Sequence, residues 1–227
     1  FTLDHPEIFS AQIRAMLKAS IGLNNLHILL PMITTVTEVE EAMYLIERAL
    51  SEVQEEEQVK IARPKIGVMI EVPSVLFQID DMASLVDFFS VGSNDLTQYL
   101  LAVDRNNPRV AGLYNQYHPA ILRALSQVVT RCQAAGKSVS VCGEMAGDPS
   151  TAILLAAMGF SALSMSAANL LKVRKALCNI DLASAQVLLD DVLQMDNPAV
   201  IRSWIERYMI QKGLTDLVRP VQHHYSQ

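Results

Sequence analysis

Five short apolar runs, each followed by a stretch with helical periodicity, constrain the fold more than any other feature of this sequence. They lie at residues 26–33 (LHILLPMI), 65–71 (KIGVMIE), 88–91 (FFSV), 138–143 (SVSVCG) and 162–166 (ALSMS). The first is continuously apolar, as expected of a strand covered on both faces in a parallel sheet. Between and after the runs, the spacing predicts helices over 6–20, 35–57, 73–83, from about 95, 118–136, 148–159, 169–178, 182–195 and 198–211. Proline stands at or near the start of several of these helices, and Gly22, Gly136 and Gly159 close three of them. Strands that alternate with helices across short loops imply right-handed βαβ units and an α/β fold. A complete (β/α)8 barrel needs eight strands in about 250 residues. This chain shows five and opens in a helix, so the expectation is a partial (β/α)8 TIM-type barrel, its five C-terminal strands with flanking helices. The missing strands would precede Phe1. An open doubly wound five-strand sheet is the structural alternative.

Composition narrows the class. With 227 residues, 51% hydrophobic and 19% charged, the chain can bury one sizeable core, and it is read as a single domain over 1–227 without repeat or linker. Its 24 acidic and 18 basic residues give a net charge of -6, and no basic stripe interleaves with aromatics, which argues against nucleic acid. The apolar runs are too short to span a bilayer. The opening FTLDHPEIF has neither the basic nor the apolar region of a signal peptide, and it lacks an initiator Met, as a fragment would. Three widely spaced cysteines without a CxxC pair suit a reducing cytoplasm rather than a disulfide framework or zinc site.

The stretch DFFSVGSNDLTQYLLAVDR at 87–105 reads as strand, glycine turn and helix, with Asn94 and Asp95 at the junction. A helix N-terminus offers free N–H groups to an anion such as a phosphate, and a carboxylate there suits a divalent cation. Glu71, Asp95 and Cys142 fall at the C-terminal ends of successive strands, the end where parallel barrels carry their ligands. Each has a plainer reading. Glu71 is otherwise a strand-end acid paired with lysine or solvent, though Val72 and Pro73 make its setting apolar; Asp95 is otherwise a helix N-cap. Cys142 is either a small buried hydrophobe or a proton donor or nucleophile. Arg105, beyond the helix, is either a surface residue or a guanidinium that swings back to an anion. Cys132 and Cys178 read as core or surface filler, His118 as a capping or packing residue, His27 as a strand residue, and His223 and His224 as tail residues. The ten methionines read as core filler, and the run EVQEEEQ at 52–58 as a solvated face.

These residues also match a known pattern. DFFSVGSNDLTQYLLAVDR, with GVMIEVP and VSVCGEMAGDP, resembles the C-terminal phosphoenolpyruvate-binding barrel of the enzyme I family, the phosphoenolpyruvate-protein phosphotransferases. The likeness runs from PEIFSAQIRAMLKAS through LSMSAANLLKVRKAL, and SVGSNDLTQYLLAVDRNNPRVAGLY is most similar to the nitrogen-related branch. The resemblance implies that Glu71 and Asp95 bind Mg2+, that Asn94, Asp95 and Arg105 bind phosphoenolpyruvate, and that Cys142 delivers the proton that makes pyruvate. It leaves Arg14, which resembles an arginine of the family's preceding helix, without a ligand. It implies transfer of the phosphoryl group to a histidine on a swivelling domain and on to a histidine phosphocarrier protein. No motif here corresponds to that domain, and other phosphoenolpyruvate-binding arginines would precede Phe1. The expectation is a cytoplasmic, homo-oligomeric portion of the enzyme, inactive alone. The barrel domain of a pyruvate phosphate dikinase or phosphoenolpyruvate synthase, and a non-catalytic dimerisation or regulatory module, are the other readings.

Overall fold

The computed structural model describes residues 5–218, so the C-terminal tail with His223 and His224 lies outside the described residues. The chain divides into two compact units, Phe1–Gly92 with Thr130–Val139, and Ser93–Val129 with Ser140–Gln227. The boundary at Gly92 and Ser93 falls where a strand passes directly into a helix, and no change of composition marks it.

The strands are β1 (His27–Leu30), β2 (Lys65–Ile70), β3 (Phe88–Gly92), β4 (Ser138–Cys142) and β5 (Ala162–Leu163), and they lie in chain order in one five-stranded sheet. A doubly wound sheet reverses its strand order at a switch point, whereas barrel strands follow the chain. The sequential order therefore selects the TIM-type architecture over the open alternative.

In the first unit, α1 (Pro6–Ala19) packs on α2 (Val36–Glu57). Phe9, Ile13 and Leu17 form the buried stripe of α1, and Val39, Ala42, Ile46, Ala49 and Val53 that of α2, at the spacing that puts residues on one helical face. The acidic end of α2 is not merely solvated. Arg14 pairs with Glu52 at 3.1 Å and with Glu56, and Lys18 with Glu56 at 3.0 Å and Glu57 at 2.9 Å. Thr35 caps α2 in a capping box with Glu38. β1 runs parallel to β2, Leu30 opposite Val68, and β2 to β3, Ile70 opposite Val91. β1 is shorter than its apolar run because Pro31 has no N–H for the ladder and Met32 turns into the left-handed region at φ 55°. After Pro73 a 3-10 turn, Pro73–Phe77, precedes the short α3 (Ile79–Ala83) where one helix was expected.

In the second unit, α4 (Ser93–Leu100) leads into a long loop and then α5 (Pro119–Ala134), whose last turn belongs to the first unit. Cys142 ends β4; Gly143 then opens α6 (Glu144–Gly147), a turn of helix the periodicity does not reveal. α7 (Pro149–Met158) starts at Asp148, whose carboxylate accepts the Ser150 and Thr151 N–H groups. Nearly every residue of α7 is buried, so it has no polar face, and it packs against α8 (Ala167–Cys178) and α9 (Leu182–Leu193). β5 pairs parallel with β4, Val141 opposite Leu163. It ends early because Ser166 already stands at the start of α8. The last helix, α10 (Pro198–Gln211), has the predicted bounds.

Candidate functional site

Each site residue is placed by its own unit. In the first, Glu71 follows the last residue of β2 and is 4% exposed. A buried carboxylate is costly unless hydrogen-bonded. Glu71 Oε1 accepts the Met32 N–H at 2.7 Å, the same N–H that the turn after Pro31 withdraws from the ladder. Gly92, at the end of β3, makes the room: a Cβ there would stand 2.7 Å from Glu71 Oε2 and 3.0 Å from Glu71 Cβ. The expected glycine turn is therefore strand, and the space beside Gly92 is filled by the Glu71 carboxylate.

In the second unit the start of α4 meets the end of β4. Ser93 Oγ donates to the Cys142 carbonyl at 2.6 Å, and Asn94 Oδ1 accepts the Glu144 N–H at 3.0 Å. Gly143, at φ +99°, has a conformation that an L side chain rarely adopts, and a Cβ on it would lie 2.8 Å from Asn94 Oδ1 and against Ser93 Oγ. The helix begins at Ser93, so Asp95 sits in its first turn and is not the N-cap. Arg105 Nη2 lies 3.8 Å from Asp95 Oδ1, with both side chains partly exposed. The structure thus brings Asn94, Asp95, Arg105 and Cys142 together with Ser93 and Glu144 in one unit, while Glu71 is placed within the other.

Several neighbours escaped the sequence reading. Gln98 ties the base of the Arg105 loop, accepting the Val103 N–H through its carbonyl at 2.9 Å and the Arg105 N–H through Oε1 at 3.3 Å. Its position one turn from Asn94 was the available signal. Nothing in the local pattern marks Met32 or Glu144, which act through backbone N–H groups. Tyr114 has a phenol whose pKa burial raises; Glu144 and Asp95 push the same way, while Thr97 and Arg105 oppose them. Of the other candidates, Cys132 is buried, its thiol pushed up to about 12 chiefly by burial, and Cys178 is exposed, which suits packing and surface roles. His118 caps α5 by accepting the Ala120 N–H on Nδ1 at 3.2 Å. His27 packs its ring against Phe88. Among the described residues, no group of three or more His, Cys, Asp or Glu side chains is placed to hold a metal ion, and no helix is long and apolar enough to cross a membrane.

Residues 1–182 match the family described as PEP-utilising enzyme, PEP-binding domain. The chain belongs to this family. A phosphoenolpyruvate-dependent phosphotransferase system protein of Salmonella typhimurium is 46% identical over 218 residues, which are 96% of this chain and 29% of that protein. A phosphoenolpyruvate-protein phosphotransferase of Haemophilus influenzae is 41% identical over 93% of this chain and 37% of its own length. The chain therefore spans about a third of the curated relatives it matches. A solved citrate lyase of Burkholderia xenovorans shares the fold, with a TM-score of 0.54 at 19% identity over 90% of this chain and 69% of that one.

Proposed function

We propose that this chain is the phosphoenolpyruvate- and Mg2+-binding portion of an enzyme that passes the phosphoryl group of phosphoenolpyruvate to a histidine and on to a histidine phosphocarrier protein, releasing pyruvate. The observation that carries this reading is the junction of α4 with the end of β4. In a chain of the phosphoenolpyruvate-utilising family, Ser93 and Asn94 tie the helix start to Cys142 and Glu144. The wording SVGSNDLTQYLLAVDRNNPRVAGLY supports the nitrogen-related branch.

Glu71 and Asp95 are the residues that would hold the cation. Their carboxylates are hard oxygen donors of the kind Mg2+ takes in ones and twos. When bound, Mg2+ would neutralise charge on the substrate's carboxylate and phosphate. The remaining roles belong to the chain. Arg105 presents a guanidinium fork that matches phosphate oxygens, and its present partner Asp95 is near enough to orient it. Asn94, held by Glu144, positions the phosphate at the helix start. The histidine nitrogen takes the phosphoryl group as the bond from phosphorus to the enol oxygen breaks. The oxygen's electrons then form the pyruvate carbonyl. The methylene carbon takes the proton of the Cys142 thiol, and the thiolate recovers a proton from water. The accepting histidine, through which the phosphocarrier would be reached, would belong to the part of the relatives that this chain does not span.

Calorimetry with phosphoenolpyruvate and Mg2+ tests the reading. Wild-type chain is expected to give binding heat that Asp95→Ala loses. No heat in either would sink it and favour a non-catalytic module.

A further inference from the structure

The loop that carries Arg105 leaves two hydroxyls unsatisfied. Thr97 Oγ1, on fully buried Thr97 of α4, and Tyr114 Oη are both buried and complete no hydrogen bond among the described residues. They are close enough for the Thr97 hydroxyl to draw down a phenol pKa that burial raises. A buried hydroxyl without a partner forfeits its hydration for nothing, and a phenylalanine at 114 would pack as well without that cost. Thr97 is the hydroxyl that acts on the Tyr114 phenol, so the two are the natural partners of one hydrogen bond.

The loop's other ties show what that bond would do. At its start, Ala102 is held in the left-handed region at φ 52°, and Gln98 holds Val103 and Arg105. At its far end, Tyr117 Oη meets Ser150 Oγ at 2.8 Å and Asn115 Oδ1 accepts the Tyr117 N–H at 2.9 Å. Between these anchors the loop bonds to itself: Asn106 and Asn107 to Asp104, and Arg109, Val110 and Ala111 to Asn107. Tyr114 follows this self-bonded stretch with its hydroxyl buried, and the charges that act on its phenol are those of Glu144, Arg105 and Asp95.

We propose that Tyr114 is a positioning residue for Arg105: its hydroxyl closes on that of Thr97, and this latch holds the loop so that the guanidinium stands at Asp95. The geometry is independent of the proposed function, but its consequence for substrate rests on Arg105 being the phosphate-binding arginine.

The test uses the full chain as wild type, Tyr114→Phe, Thr97→Val and the double variant. Two readouts need no substrate: amide hydrogen exchange over residues 105–113 and the side-chain Nε–Hε resonance of Arg105. The expected result is exchange about tenfold faster in each single variant, the order of one lost hydrogen bond, with no further gain in the double. The Arg105 resonance should move in both singles, which loss of packing elsewhere would not cause. Unchanged or slower exchange in Tyr114→Phe, or an unmoved Arg105 resonance, overturns the latch. A phosphoenolpyruvate and Mg2+ titration separates this inference from the proposed function. Tyr114→Phe should weaken binding about tenfold, and should weaken it no further when added to Arg105→Ala. If the wild type takes up no phosphoenolpyruvate, the proposed function fails while exchange and resonance still decide the latch.

Discussion

Glu71 and Asp95 reach their places by different means, and the difference governs what substitutions do. Glu71 is buried and depends on a backbone N–H from Met32 and on the missing side chain of Gly92. Asp95 is partly exposed in a helix's first turn and faces Arg105. Gly92→Ala should therefore act on Glu71: its Cβ would come 2.7 Å from Oε2, forcing the carboxylate away from Met32. Overpacking of this kind costs about 1–3 kcal/mol, and denaturant unfolding of the variant should show it. Stability equal to wild type would mean that the carboxylate moves freely, against the tight seat described above. The sequence made Glu71, Asp95, Arg105 and Cys142 visible because each sits at a fixed offset from an apolar run. It could not separate a cap from a first-turn residue at Asp95. That depends on where the helix begins, and Ser93 moves the start two residues earlier by bonding to Cys142, 49 positions away.

Elements with local determinants were the most legible. Thr35 and Glu38 form a reciprocal cap: the Thr35 hydroxyl accepts the Glu38 N–H at 3.4 Å, and Glu38 Oε2 accepts the Thr34 and Thr35 N–H groups at 2.6 and 3.0 Å. Burial works against the Glu38 charge. The three donors, with the Thr34 hydroxyl among them, more than offset it and hold the carboxyl below the usual carboxylate range. A carboxyl depressed in the folded state stabilises fully above its unfolded pKa and loses that contribution as pH falls through the folded value. Thr35→Ala should cost about 1 kcal/mol at neutral pH. Glu38→Gln should lose less stability than wild type as the solution is acidified, and parallel acid limbs in pH-dependent thermal unfolding would contradict this. Elements bounded by tertiary events were misjudged. β1 stops because Met32 turns to Glu71, and the 162–166 strand shrinks to Ala162–Leu163 because its last serine stands at the start of α8.

At the scale of the molecule, the strands follow chain order, the chain belongs to the phosphoenolpyruvate-utilising family, and it spans 29% of the Salmonella relative. On the proposed function, phosphoenolpyruvate and Mg2+ should leave no phosphohistidine on this chain; a mass gain of one phosphate on a histidine would refute that. β1 stands at the end of the strand order, and a strand edge of that kind recruits partners. Light scattering is accordingly expected to give more than the monomer mass, and a concentration-independent monomer would argue against association. The sequence alone determined the alternation of strand and helix, the parallel class, and the residues at strand ends, because apolar periodicity, proline and glycine act over a few positions. The tertiary structure decided the strand order, the division into two units, the Met32 N–H on Glu71 and the Tyr114 hydroxyl beside Thr97. Those depend on groups far apart in the chain, and a backbone N–H or a buried hydroxyl leaves no periodic trace by which to find its partner.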